Sequence, residues 1–265
     1  MFPLYTKTFP ATAADLAALL NESIQRVFTA ARSPVSVTAK KYPELEGIHI
    51  TLDGAELRSD PPPPPKPKGA GKPAYVVGEL HLNASALSLG PATADLRLSA
   101  RDVHLHQAKD AAGEIILLLQ RAAEGEIEIS AATDSIERGI AALAKQEAGK
   151  HGVTIDDVEL AVEQRGERSL DAEVQLRARK LFFSTVIRIG AKLDLDDELN
   201  ATISGLTCAG DGAIGSMACG FLKPHLEAID GRMFPLMALP LGEIRLRDVR
   251  VSAADHLTVT AEFDA

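Results

Sequence analysis

Strict alternation of apolar and polar residues constrains this chain more than any other feature. It recurs in Glu79-Leu80-His81-Leu82, Asp95-Leu96-Arg97-Leu98, Val103-His104-Leu105-His106, Glu126-Ile127-Glu128-Ile129 and Val158-Glu159-Leu160-Ala161-Val162. Successive side chains of a strand point to opposite faces, so a period of two marks a strand with one face in a core and the other in water. The pattern continues through Leu170 to Arg177, Thr185 to Leu195 and Leu199 to Leu206, and returns at Ile244 to Val251 and Leu257 to Phe263. The intervening segments are too short for helical crossovers, so the spacing predicts ten or more strands, mostly antiparallel.

Two segments carry the helical period instead. Over Thr12 to Arg32 the apolar residues Leu16, Leu19, Leu20, Ile24, Val27 and Phe28 form one stripe, and Thr12 precedes Asp15 at capping spacing. A second helix is predicted over Asp134 to Ala148, with Asp134 as N-cap, Ile136, Ile140 and Leu143 on one face, and Gly149 as stop. The run DPPPPPKPKGAGKP, residues 60–73, lacks the N–H groups a sheet requires and reads as an extended, solvated loop; its other reading is a proline-rich partner motif. Each helix is followed by a similar tetrapeptide, Gly47-Ile48-His49-Ile50 and Gly152-Val153-Thr154-Ile155, which hints at a duplication with its boundary near residue 130. The whole chain, 1–265, is expected to form a single elongated domain.

Charge and hydropathy exclude several functions. Lys and Arg number 28 against 37 Asp and Glu, a net charge of −9, and no basic patch offsets the resulting repulsion of phosphates, so nucleic acid is not an expected partner. The longest aliphatic run, Ile115 to Leu119, falls far short of the about 20 apolar residues of a membrane-spanning helix. The N-terminal MFPLYTKTFPATAADL lacks the basic start and apolar run of a signal peptide, and Cys208 and Cys219 are the only cysteines. A cytoplasmic protein with both thiols reduced is expected.

The chemical motifs each have a plainer explanation. Gly210-Asp211-Gly212-Ala213-Ile214-Gly215 is a literal G-x-G-x-x-G, but Pro224 interrupts the helix that should follow, and Asp230 arrives without a preceding buried strand. A glycine-rich turn between elements is expected there, and a nucleotide-dependent enzyme is the remote alternative. His104 and His106 share one strand face as metal-binding H-x-H pairs do, yet they fill the polar positions of a half-buried strand, and no third ligand is evident. The cluster Asp194, Asp196, Asp197 and Glu198 lacks the glycine and ligand number of a calcium loop. Ser216 does not lie in a G-x-S-x-G elbow. No catalytic residue, metal or cofactor is assigned, and the chain is not read as an enzyme.

What stands out is an apolar accumulation toward the C-terminus: Leu181, Phe182, Phe183, Val186 and Ile187, then Phe221, Leu222, Met233, Phe234, Leu236, Met237 and Leu239. Consecutive phenylalanines point to opposite faces of a strand, and flexible methionine adapts to irregular ligands, so a second apolar surface able to hold acyl chains is expected.

The order of helix, strands, second helix and further strands, together with Arg232-Met233-Phe234-Pro235-Leu236 and the following Leu239 to Val249, resembles the tubular lipid-binding (TULIP) superfamily. That group includes bactericidal/permeability-increasing proteins, synaptotagmin-like mitochondrial lipid-binding domains and small bacterial phospholipid-binding relatives. The resemblance implies an α+β fold in which long amphipathic helices are wrapped by a highly curved antiparallel β-sheet, forming a tubular lipid-binding domain. It further implies non-enzymatic binding or transport of phospholipid or fatty acid, with transient membrane contact. Leu16, Leu19, Leu20, Val27 and Phe28 of the first helix would line the cavity with Phe182, Phe183, Ile187, Phe221, Leu222, Met233, Phe234, Leu236, Met237 and Leu239. The proline-rich segment is not a feature of that family. The alternative is a structural or interaction module in which the same residues form a closed core, while exposed sheet edges mediate homodimerisation or partner binding.

Overall fold

The structure is a computed structural model, and it describes residues 1–150, 152–180, 183–238 and 244–264. In chain order the elements are β1 (Phe2–Pro3), α1 (Ala13–Val27), β2 (Phe28–Thr29), β3 (Val35–Lys41), β4 (Glu44–Thr51), β5 (Glu56–Leu57), β6 (Lys68–Leu89), β7 (Ala92–Lys109), β8 (Ile115–Arg121), β9 (Glu124–Ala132) and α2 (Thr133–Gly149). They continue with β10 (Thr154–Gly166), β11 (Ser169–Lys180), β12 (Phe183–Leu195), β13 (Asn200–Gly210), α3 (Gly212–Glu227), β14 (Arg232–Pro235), a 3-10 turn at Leu236–Ala238, β15 (Arg245–Ala253) and β16 (His256–Asp264).

The strands form two sheets. The first has eleven strands on the path β15-β16-β9-β7-β6-β4-β3, with β8 and β1 beside β7, and β5 and β2 beside β6; the second runs β10-β11-β12-β13-β14. The expected α+β tube of long helices wrapped by one curved sheet is therefore incorrect: strand accounts for 58% of the chain and helix for 20%, in three short helices. The dimensions explain why. The longest helix, α2, has 17 residues and spans about 25 Å, whereas β6 has 22 residues, about 70 Å of strand. A helix a third as long as the longest strand cannot serve as the axis of a tube.

Pairing is antiparallel except at β6, which runs parallel to β4 and β5. The parallel pair arises because β5 and the proline-rich segment carry the chain back between β4 and β6, and a long crossover of this kind returns a strand in the same direction. Residues 61–67 of that segment lie outside any strand, as expected, but Lys68 to Pro73 join the irregular start of β6, opposite β7.

α1 begins where the sequence indicates, with the Thr12 hydroxyl accepting a 3.1 Å bond from the Asp15 N–H. It ends five residues short of Arg32, because Phe28 leaves the helix to pair with Leu57 in β2. Its inward residues Leu16 and Leu20 join Ile48 and Ile50 of β4, Val77 and Leu80 of β6, Val103 and Leu105 of β7 and Leu117 of β8 in one closed core. Asn21 ties the helix to β3, accepting from the Val35 N–H at 2.8 Å and donating to the Val35 carbonyl at 3.2 Å.

The sheets meet at the hairpin ends of the second. Leu199, Leu195 and Leu236 pack on Val249, Ala261 and Ile127 of the first sheet. Arg168 reaches Asp248 of β15 at 2.6 Å and Asp197 at 2.9 Å, while the Val251 N–H donates to the Glu167 carbonyl. The Arg168 guanidinium, helped by Arg250, holds the Asp248 carboxyl below the usual carboxylate range. α2 lies along β10, where the Glu137 carboxylate accepts a 2.8 Å bond from the Leu160 N–H and so occupies part of an otherwise open sheet edge.

Candidate functional site

The register of the second sheet assigns its faces. Val158, Leu176 and Ile187 are successive cross-strand neighbours, as are Leu160, Val174, Ile189 and Cys208. Neighbours in register share a face, so this face is an apolar ladder four strands wide. The opposite face carries Glu159, Gln175 and Arg188 in register, with Arg165 bridging Asp171 at 2.8 Å and Asp194 at 3.0 Å. Two helices cover the apolar face from its ends. Ile140, Ala141 and Ala144 of α2 pack toward Ile155 and Val158, and Ala218 and Cys219 of α3 pack toward the β12–β13 side. Val174 and Leu176 of β11, between the helices, stay only half-buried.

α3 is the element the sequence reading missed, having assigned its glycine motif to a turn. Gly212, Gly215, Gly220 and Pro224 lower its helical propensity, but Ile214, Ala218, Leu222 and Leu226 recur every four residues and face inward, a signal that could have located it. The glycines serve packing rather than phosphate binding. A Cβ on Gly210 would lie 2.3 Å from the Gly215 backbone, so the helix start sits directly on the end of β13. The Thr185 hydroxyl donates to the Asp211 carbonyl at 2.7 Å, and Arg188 pairs with the Asp211 carboxylate at 3.3 Å. Asp211 thus stands at the N-cap with its carboxylate turned to Arg188 and not onto the helix, and its negative charge repels a pyrophosphate brought to that end.

Cys208 on β13 and Cys219 on α3 form a disulfide, which corrects the expectation of reduced thiols and fixes the helix to the sheet. With Gly215, Ala218 and Cys219 turned inward, α3 presents Met217 and Phe221 to solvent at 68% and 80% exposure. Phe183, 62% exposed, lies on the same side of the sheet, since it shares its strand face with Thr185 and Ile187. From Gly212 to Leu222 the helix contains no charged residue.

The residues expected to line one cavity do not come together. Leu16 and Leu20 are buried in the core of the first sheet, with Leu19 and Phe28 against it, and Val27 ends α1 with its carbonyl accepting from Arg58. Phe183, Ile187, Phe221 and Leu222 lie on the α3 side of the second sheet, Ile187 buried and Leu222 half-buried. Phe234 is in register with Ala201 beneath the Arg232 guanidinium, 4.9 Å away, whereas Met233 is in register with Thr202 and points to the other face. Leu236 packs in the inter-sheet cluster, and Met237 is exposed in the 3-10 turn. Phe182 and Leu239 lie outside the described residues.

α2 also departs from expectation. Leu143 does not join Ile140 against the sheet; it is exposed beside Leu89, at a cleft of about 390 Å³ also lined by Pro91, Ala92 and Gly139. His104 lies 3.4 Å from Asp102, and among the described residues no three metal-ligating side chains stand together in metal-binding geometry. No helix among the described residues is long and apolar enough to cross a membrane. Comparison with protein-family models, with curated proteins and with solved structures finds no match to this chain.

Proposed function

We propose that the chain is a non-enzymatic binder of a hydrophobic ligand, the alkyl chains of a phospholipid or fatty acid, on the α3 side of the second sheet. The observation that carries this reading is the outward pair Met217 and Phe221 on an uncharged helix stretch, beside an apolar ladder that two helices leave half-covered. Fully burying one such side chain contributes about 1.5–3 kcal/mol, so an alkyl chain lying along α3 and Phe183 gains enough to offset its ordering cost. This is an exposed apolar surface and not a tube; the α1 residues take no part in it. The disulfide supports an oxidising compartment in place of the cytoplasm.

The same uncharged face favours a second reading, self-association through α3 into a homodimer. Native mass spectrometry followed by solvent extraction separates the two. A discrete co-purified lipid, or saturable uptake of a fluorescent fatty acid, supports ligand binding. A dimer that carries no lipid and binds no fatty acid refutes it in favour of self-association.

A further inference from the structure

The parallel pairing of β4 with β6 places two histidines side by side on the polar face of the first sheet. His49 and His81 are register partners, and their rings stack with centroids 5.2 Å apart and planes inclined by 13°. Two residues earlier on each strand the partners are Gly47 and Glu79. Strands running in the same direction send both imidazoles toward this second row. The His81 Nε2 lies 3.3 Å from the Glu79 carboxylate, and the His49 Nε2 lies over Gly47, only 3.0 Å from where a Cβ would stand. The absence of a side chain at Gly47 is therefore what lets the His49 ring lie along its strand, with its Nε2 directed to the same row as the His81 Nε2 and its Glu79 partner.

We propose that His49, His81 and Glu79 form a binding site for one zinc-like divalent transition metal. Two imidazole nitrogens and one carboxylate are a donor set suited to zinc, with water completing the tetrahedron, whereas calcium and magnesium demand more oxygens. The three donors are not gathered at bonding geometry, so binding draws the rings together by side-chain rotation. The surroundings permit this. His49 is exposed, and the neighbouring cation, Arg101, is engaged by Glu124 at 2.9 Å instead of Glu79. The backbone beneath is fixed, because Ile48, Ile50 and Leu80 from the same two strands are buried in the core, and a rigid support is what a precise ligand set requires. This site is separate from the apolar surface and independent of the proposed ligand.

Calorimetric titration of the full chain with zinc chloride tests the inference, with cobalt(II) as a spectroscopic probe of tetrahedral coordination. One metal per chain is expected, with His49→Ala and His81→Ala each weakening binding at least about tenfold. Gly47→Ala keeps all three ligands but sets a Cβ 3.0 Å from the His49 Nε2 and displaces that ring, so it too weakens binding; circular dichroism confirms that each variant is folded. His104→Ala/His106→Ala leaves binding unchanged. Absence of stoichiometric zinc binding, or its retention in a folded His49→Ala/His81→Ala variant, overturns the proposal.

Discussion

Replacing Met217 and Phe221 together by serine separates a binding surface from a packing surface. Phe221 is 80% exposed and Met217 68%, so about a quarter of their combined side-chain surface contacts the rest of the protein. Full burial of each contributes about 1.5–3 kcal/mol, so the double substitution removes only about 1 kcal/mol of folding stability. Under the proposed function the balance toward a ligand is the reverse. If an alkyl chain covers the remaining surface, the loss is about 2–4 kcal/mol of binding, a fall in affinity between about thirtyfold and seven hundredfold. Urea denaturation of the free protein measures the first quantity, and titration with a fluorescent fatty acid measures the second. A stability loss above about 2 kcal/mol would show that the outward face of α3 is packed against the chain. Unchanged fatty-acid affinity in a folded variant would remove α3 from the binding site.

Other expectations follow from the same geometry. Leu16, fully buried beneath the first sheet, is structural: Leu16→Ala should cost about 3–5 kcal/mol in urea denaturation without a specific effect on fatty-acid affinity, and a cost under 1 kcal/mol would contradict the closed core. The double variant Cys208→Ser/Cys219→Ser, which opens a loop with a sequence separation of 11, should lose up to about 3 kcal/mol. It should also speed amide exchange across α3 while leaving the first sheet protected; equal exchange in α3 would mean the disulfide does not hold the helix. Because Arg168 and Arg250 lower the folded-state pKa of Asp248, its contribution is present above the unfolded carboxyl value and is lost as pH falls through the depressed folded value. Asp248→Asn should therefore be less stable than the parent at pH 7, with the gap closing below about pH 4; a constant gap from pH 7 to 2 would refute the ion pair as its cause.

Alternation alone identified most strands and their polar faces, because a side-chain period of two is a local property of extended backbone. The start of α1 was equally legible, since Thr12 caps a helix through a residue three positions away. Partnership between strands was not. Period two specifies which way Leu80 and His81 point, but not that Ile48 and His49 lie beside them in parallel, or that β10 to β14 form a sheet of their own. Those pairings are decided by chain reversals dozens of residues apart, for which the sequence carries no local signal. α3 illustrates the same division. Its glycines and proline argue against a helix locally, and the helix exists because Gly215 fits against Gly210 and Cys219 reaches Cys208. The sequence by itself therefore determined a strand-rich chain with a surplus of apolar side chains near its C-terminus. Tertiary structure decided which of them close into a core, as Ile187 does, and which, like Phe221, remain open to solvent, because burial depends on the neighbours that long-range pairing brings.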